Sequence, residues 1–202
     1  MKTVVGLVNY GVAGNIFSMK KALEISGATV KIVETCKDFS NIDKIVLPGV
    51  GSFNDAMEEI ENDGIKEVLI EMVNTKHTLG ICLGMQILVN VGFEFFETKG
   101  LGILEGESRK LNVSYKIPHI GWTNIEVARE CPLFRDINEN DSYYFIHSLE
   151  VVKSPGVIAF SRYNDYRFVS GIHDGNGVFG LQFHPEKSRE QGIRILRNFI
   201  NL

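Results

Sequence analysis

Between residues 3 and 81 the chain alternates short apolar runs with stretches of helical periodicity, and few folds accept that alternation. Thr3–Val8 reads as a buried strand, and Thr29–Val33, Lys44–Leu47 and Thr78–Ile81 read as a second, third and fourth strand. Between them, Gly14–Ser26 carries Ile16, Met19, Leu23 and Ile25 near helical spacing and stops at Gly27, a C-cap residue. Asn54–Asn74 is a second helical region, interrupted near Gly64, and a further helix is expected from Cys82 to about Val91. Strands separated by helices build a parallel sheet with both faces covered.

The second half changes character. Glu107–Leu111, Asn124–Val127, Ser142–His147, Val157–Ser161, Phe168–Ile172 and Val178–Phe183 read as strands, many of them antiparallel, with turns such as Asp174-Gly175-Asn176-Gly177 between them. An amphipathic helix over Ser188–Ile200, with Ile193, Leu196 and Ile200 on one face, closes the chain. The expected fold class is α/β. It is three-layered, with a mainly parallel central sheet extended by antiparallel strands, in one domain over residues 1–202. Ligands of such sheets sit at the carboxyl ends of the strands.

Composition narrows the partners. The net charge of −4, with no basic run and no acidic tail, argues against nucleic acid or an anionic membrane. Three cysteines, Cys36, Cys82 and Cys131, are widely spaced and odd in number, which fits a reducing compartment better than a disulfide framework. No C-x-x-C pair suggests a zinc site, and neither metal nor cofactor is expected. The amino-terminal apolar run is too short for a signal peptide and nothing reaches the length of a membrane span, so a cytoplasmic location is expected.

The chemistry is concentrated in Gly80-Ile81-Cys82-Leu83-Gly84, where an apolar strand turns into a helical pattern. Glycines on both sides let the backbone turn sharply, and a thiol at the apex stands at a helix N-terminus, which favours the nucleophilic thiolate. This is the thiol counterpart of a serine nucleophile elbow. By itself such a cysteine is more often a buried structural residue. A base is supplied a hundred residues later by Gln182-Phe183-His184-Pro185-Glu186. Proline pushes His184 into extended backbone, so His184 and Glu186 share a side and the carboxylate can orient the imidazole. After the third strand, Pro48-Gly49-Val50-Gly51 offers backbone amides of Val50 or Gly51 which, with that of Leu83, could receive an oxyanion.

Together these segments resemble the triad-type (class I) glutamine amidotransferases, and within them the glutaminase subunits of imidazole glycerol phosphate synthase in histidine biosynthesis. The likeness includes Tyr10-Gly11, Gly14-Asn15, Ile120-Gly121-Trp122, Tyr144-Phe145-Ile146-His147-Ser148 and the closing Arg197-Asn198-Phe199. It implies a flavodoxin-like fold and an enzyme that hydrolyses L-glutamine. Cys82 is implied as nucleophile, His184 as base and Glu186 as its orienting group. Gln86 and Glu94 are implied to contact the substrate, with Ser142 and Tyr143 holding its amino-acid end through backbone groups. A (β/α)₈-barrel cyclase is implied as the acceptor of ammonia, docked on a face containing Asn15, Trp122 and Lys187.

Three departures from the family pattern are Asn9 where an aspartate is usual, Val12-Ala13 where a single residue separates the glycines, and Leu149 where a tyrosine follows His147-Ser148. They leave open a paralogous glutaminase feeding another synthase, for example one that amidates a nucleotide sugar. A papain-like thiol hydrolase and a catalytically idle regulatory subunit are further alternatives. A nucleotide-binding module, drawing on Tyr10–Asn15 and Glu34, is the alternative from another class.

Overall fold

The computed structural model describes residues 2–11 and 15–202; the expected helix start at Gly14 lies outside them. Strand β1 (Val4–Val8) leads to helix α1 (Ile16–Ile25), β2 (Thr29–Val33) and β3 (Lys44–Leu47). Helices α2 (Phe53–Asn62) and α3 (Lys66–Thr75) follow, separated around Gly64 as the sequence predicts, then β4 (Thr78–Ile81) and the five-residue helix α4 (Leu83–Ile87). The chain continues through β5 (Val89–Phe93), β6 (Glu97–Lys99), β7 (Leu104–Lys110), β8 (His119–Asn124) and β9 (Glu126–Val127). It ends with β10 (Ser142–His147), β11 (Leu149–Val152), β12 (Val157–Tyr163), β13 (Tyr166–His173), β14 (Val178–Leu181) and α5 (Arg189–Ile200).

The central sheet has the order β2-β1-β3-β4-β14-β13-β12-β9. From β2 to β14 neighbouring strands are parallel; β13, β12 and β9 extend the sheet antiparallel. Side chains alternate between its faces. Val5, Leu7, Val46, Leu79, Ile81, Phe179 and Leu181 point to the side covered by α1 and α5. Val8, Ile45, Leu47 and Val178 point to the side covered by α2 and α3. This is the expected three-layer arrangement.

Two outcomes differ from the sequence expectation. The helix after Cys82 stops at Ile87, not near Val91, because Val89–Phe93 pairs with β7 and β6 in a separate sheet of order β11-β7-β5-β6. A short apolar run does not distinguish helix from strand by periodicity. The run Asn124–Val127 is not one strand: β8 ends at Asn124 in a ribbon with β10, and β9 begins after Ile125 against β12, so the chain changes sheet between them.

The junction of β3, β4 and α4 rests on backbone contact. A Cβ at Gly84 would lie 1.9 Å from the Leu47 carbonyl oxygen, and one at Gly80 would lie 2.5 Å from the Gly84 oxygen. No flexible side chain can yield there. Gly84→Ala is therefore expected to cost about 3 kcal/mol or more in urea unfolding, at or above the usual range for overpacking; an unchanged urea midpoint would contradict this packing.

Candidate active site

The carboxyl ends of β3, β4 and β14 are adjacent, and each delivers one part of the site. β4 leads directly into Cys82, held at φ 52° and ψ −106°, a left-handed conformation that a β-carbon makes costly. The elbow persists because its surroundings fix it. The Cys82 N–H donates to the Leu181 carbonyl at 2.7 Å, the Gln86 N–H donates to the Cys82 carbonyl at 3.1 Å, and Gly84 sits on Leu47. Cys82 is 6% exposed and forms the floor of a cavity. With only five residues, α4 also builds little macrodipole.

That cavity, about 230 Å³, is lined by Val50, Gly51, Cys82, Leu83, Gln86 and Glu94, joined by Pro118, Ile146, His147, Ser148 and Leu149. A larger hollow of about 570 Å³ lies beside Cys131, but no histidine lines it and burial pushes that thiol up. At the end of β3, a Cβ on Gly49 would lie 2.5 Å from Leu83 Cβ and 3.1 Å from the Tyr10 hydroxyl. Fully buried Tyr10 donates that hydroxyl to the Pro48 carbonyl. The Val50–Gly51 segment is thereby clamped between the elbow and β1.

Beyond β14, His184 Nδ1 lies 2.8 Å from Glu186 Oε1, with side chains 1% and 2% exposed. The pairing arises differently from the expected extended i, i+2 geometry: Pro185–Lys187 is a 3₁₀ turn, with proline at its first position, that brings the carboxylate back to the ring. Among the described residues, His184 Nε2 makes no hydrogen bond of full geometry. Cys82 and His184 are not hydrogen-bonded, and the imidazole feels the sulfur through its charge. Burial pulls the imidazole pKa down, but the charge of Cys82 and then Glu186 outweigh it and hold His184 above the usual histidine range. Loose pairs of this kind are common before substrate binds.

Gln86 and Glu94 both line the cavity, but each is already engaged. Gln86 Nε2 reaches the Leu149 carbonyl at 3.3 Å and Gln182 Oε1 at 3.2 Å, and Glu94 Oε2 accepts the Phe53 N–H at 2.6 Å. Ser142 and Tyr143 are corrected. Tyr143 is fully buried against Phe183, with ring centroids 4.5 Å apart, and the Ser142 carbonyl accepts from Gln191. The segment that does line the cavity lies a few residues on, at Ile146–Leu149. Its signal in sequence is the break at Ser148, where β10 gives way to β11.

Trp122 and Lys187 come together on the surface. Lys187 Nζ lies 5.9 Å from the Tyr144 ring centroid, Tyr144 meets Trp122 edge-on, and the Arg189 guanidinium lies 4.7 Å over Trp122. Asn15 caps α1, which packs against the Pro185–Lys187 turn. Sequence reasoning missed Tyr144 and Arg189. Of the residues the nucleotide-binding alternative draws on, Glu34 is exposed and its Oε1 accepts from Asn9 Nδ2 at 2.7 Å, while Val12–Gly14 lie outside the described residues.

A thiol elbow and a glycine-rich amide segment on one cavity, with an imidazole held by a carboxylate past the end of the adjacent strand, are the parts of an acyl-transfer site. The Glutamine amidotransferase class-I family model matches residues 7–202, and the chain belongs to that family. Among its relatives, the imidazole glycerol phosphate synthase subunit HisH 1 of Campylobacter jejuni (strain RM1221) is 41% identical over 204 residues, spanning 98% of this chain and 100% of that protein. The HisH subunit of Methanocaldococcus jannaschii is 39% identical over 200 residues, with 98% and 100% covered. In fold, the chain matches the structure of PurLQS from Thermotoga maritima with a TM-score of 0.79 at 22% identity, over 100% of this chain and 99% of that one.

His147 supplies a pH-dependent element. Its Nε2 lies 3.1 Å from His119 Nδ1 and its Nδ1 lies 2.8 Å from the Leu149 carbonyl, and burial above all lowers its pKa to about 3. An unfolded histidine takes its proton near pH ~6.5. Below that, the unfolded chain binds a proton the folded one refuses, so stability falls as pH drops, by about 1.4 kcal/mol per unit until the folded value is reached. His147→Gln, which keeps a donor for Leu149, should lose less thermal midpoint than wild type between about pH 7 and about pH 5. Equal losses would mean that His147 does not set this slope.

Proposed function

We propose that the chain, acting as one domain over residues 1–202, hydrolyses L-glutamine through a cysteinyl thioester. It passes the ammonia to a cyclase subunit that forms imidazole glycerol phosphate in histidine biosynthesis. The observation that carries this reading is the meeting of Cys82, the His184–Glu186 pair and the Val50–Gly51 segment at the ends of three adjacent strands. That the relatives are subunits of imidazole glycerol phosphate synthase points to the synthase.

In this reading the Cys82 thiol gives its proton to His184 Nε2 and the sulfur attacks the side-chain amide carbon of glutamine. The carbonyl electron pair moves to oxygen, where the amides of Leu83 and of Val50 or Gly51 receive it. Collapse of the tetrahedral intermediate expels ammonia carrying the proton from His184. Water then adds to the thioester as His184 takes its proton, and glutamate leaves as the sulfur recovers its electron pair and proton. Glu186 holds the imidazole and offsets its charge. Neither metal nor cofactor enters. Glu94 and Gln86 face the bound amino acid from the cavity wall.

Ammonia released into neutral water is protonated and ceases to be a nucleophile, so the acceptor has to sit against this chain. We place the partner, a (β/α)₈-barrel cyclase, on the face of Asn15, Trp122 and Lys187. Trp122 and its neighbour Ile120 are 42% and 58% exposed there, and exposed aromatic and arginine groups are what interface centres use. No nucleic-acid or membrane partner is proposed. The widely separated free cysteines support a cytoplasmic setting, and no helix among the described residues is long and apolar enough to cross a membrane.

Cys82→Ala should abolish glutamate release with or without the partner, and a glutamine-mimicking electrophile should label Cys82 rather than Cys36 or Cys131. Labelling at either of the others would overturn the assignment. Trp122→Ala should weaken the complex with the cyclase by about 10-fold or more while the isolated chain keeps its thermal midpoint. Unchanged affinity, read by titration calorimetry, would move the docking face elsewhere.

A further inference from the structure

Gln182 lies in the same motif as His184 and has no part in the reaction described above. It is fully buried. Its backbone N–H donates to the Ser170 carbonyl at 3.0 Å, which fixes the residue just past β14. Its side-chain Nε2 lies 3.4 Å from Cys82 Sγ, and its Oε1 lies 3.2 Å from Gln86 Nε2.

Which end of this amide faces the sulfur follows from one carbonyl. Leu149 O can only accept, and Gln86 lies 3.3 Å from it, so Gln86 has to present its NH₂ there. The same NH₂ meets Gln182, which therefore turns its oxygen to Gln86 and its NH₂ to the sulfur. His147 Nδ1 also donates to Leu149 O at 2.8 Å, and its other nitrogen faces His119. The Leu149 carbonyl thus accepts from both sides, and from Gln86 the donors run on through Gln182 to Cys82.

The sulfur needs such a donor. Apart from the His184 imidazole, which exchanges the proton, the sulfur also meets the Ile146 carbonyl at 3.7 Å, which suits a thiol S–H and repels a thiolate. With Cys82 6% exposed, water cannot solvate the anion freely. We propose that Gln182 is the hydrogen-bond donor to the Cys82 thiolate, and that Gln86 is the positioning residue that aims it. Gln182 then acts twice in the glutaminase reaction, on which this inference rests. It acts when the thiol proton moves to His184 Nε2 and the sulfur retains the electron pair, and again when the thioester C–S bond breaks and that pair returns to sulfur.

The test uses the full chain and compares Gln182→Met, which keeps length without a donor, with Gln182→Glu, which sets a carboxylate against the sulfur. Iodoacetamide alkylation of the Cys82 peptide is followed by mass spectrometry across pH; it proceeds without glutamine and without an oxyanion. Gln182→Met should be alkylated about 10- to 100-fold more slowly near neutral pH, recovering at high pH, and Gln182→Glu more slowly still, as expected for loss of a hydrogen bond to a charged group. In the complex with the cyclase, kcat for glutamate release should fall by a similar factor with KM little changed. A merely structural role would lower the thermal midpoint but leave the alkylation profile at its wild-type pH, and that result would overturn the proposal. If Gln182→Met does not fold, Gln86→Leu, which leaves the donor in place but unaimed, should displace the profile in the same direction, and an unmoved profile there is equally fatal. If the wild-type complex releases no glutamate, the glutaminase reading fails while alkylation still decides the role of Gln182.

Discussion

A bare backbone contact, the Cα of Gly84 against the carbonyl of Leu47, sets the geometry on which the site depends. It lets α4 begin directly over the end of β3, so the chain has to reverse at one residue, and that residue is Cys82 at φ 52°. A conformation of this kind costs about 1–3 kcal/mol and lasts only where its surroundings over-determine it. Here Leu181, Gly80, Gly84 and the hydrogen bond from Gln86 all do so. The strain points a sulfur into the cavity at the ends of the parallel strands, where the neighbouring strand delivers its imidazole.

Electrostatics completes what the backbone begins. A buried charge is tolerated only when paired and hydrogen-bonded. The His184 imidazole has Glu186 on one nitrogen and the sulfur near the other. On the far side of the sulfur, the amide row from Gln182 through Gln86 to Leu149 ends on a histidine kept neutral by burial. Two histidines within one site are thus driven in opposite directions. The sulfur and Glu186 push His184 toward its protonated form, and burial pushes His147 toward its neutral one.

Much of this was legible in the sequence. The parallel strands β1, β3 and β4 are mostly apolar because both their faces are covered, whereas β2, at the sheet edge, carries Lys31 and is only partly buried. The His184–Glu186 pairing follows from residue types two apart, although a 3₁₀ turn rather than extended chain produces it. The second sheet was not legible. Val89–Phe93 continues the apolar run of α4, and only its pairing with β7 makes it a strand. Ser142 and Tyr143 were misplaced because Ser142–Leu149 reads as one run, whereas the bend at Ser148 decides which part reaches the cavity. Gln182 carried a usable signal, since it lies two residues before His184, the spacing that puts side chains on one side of an extended chain.

The central claim is that the Cys82 sulfur and the His184 imidazole act on each other. Titrating His184 by NMR, in wild type and in Cys82→Ala, tests it most directly. With the sulfur present, His184 should keep its proton to a pH above the usual histidine range; without it, burial should prevail over what Glu186 alone supplies and the titration should move down. An identical His184 titration in the two proteins would mean that the sulfur and the ring do not sense one another, and the catalytic account would fall with that result.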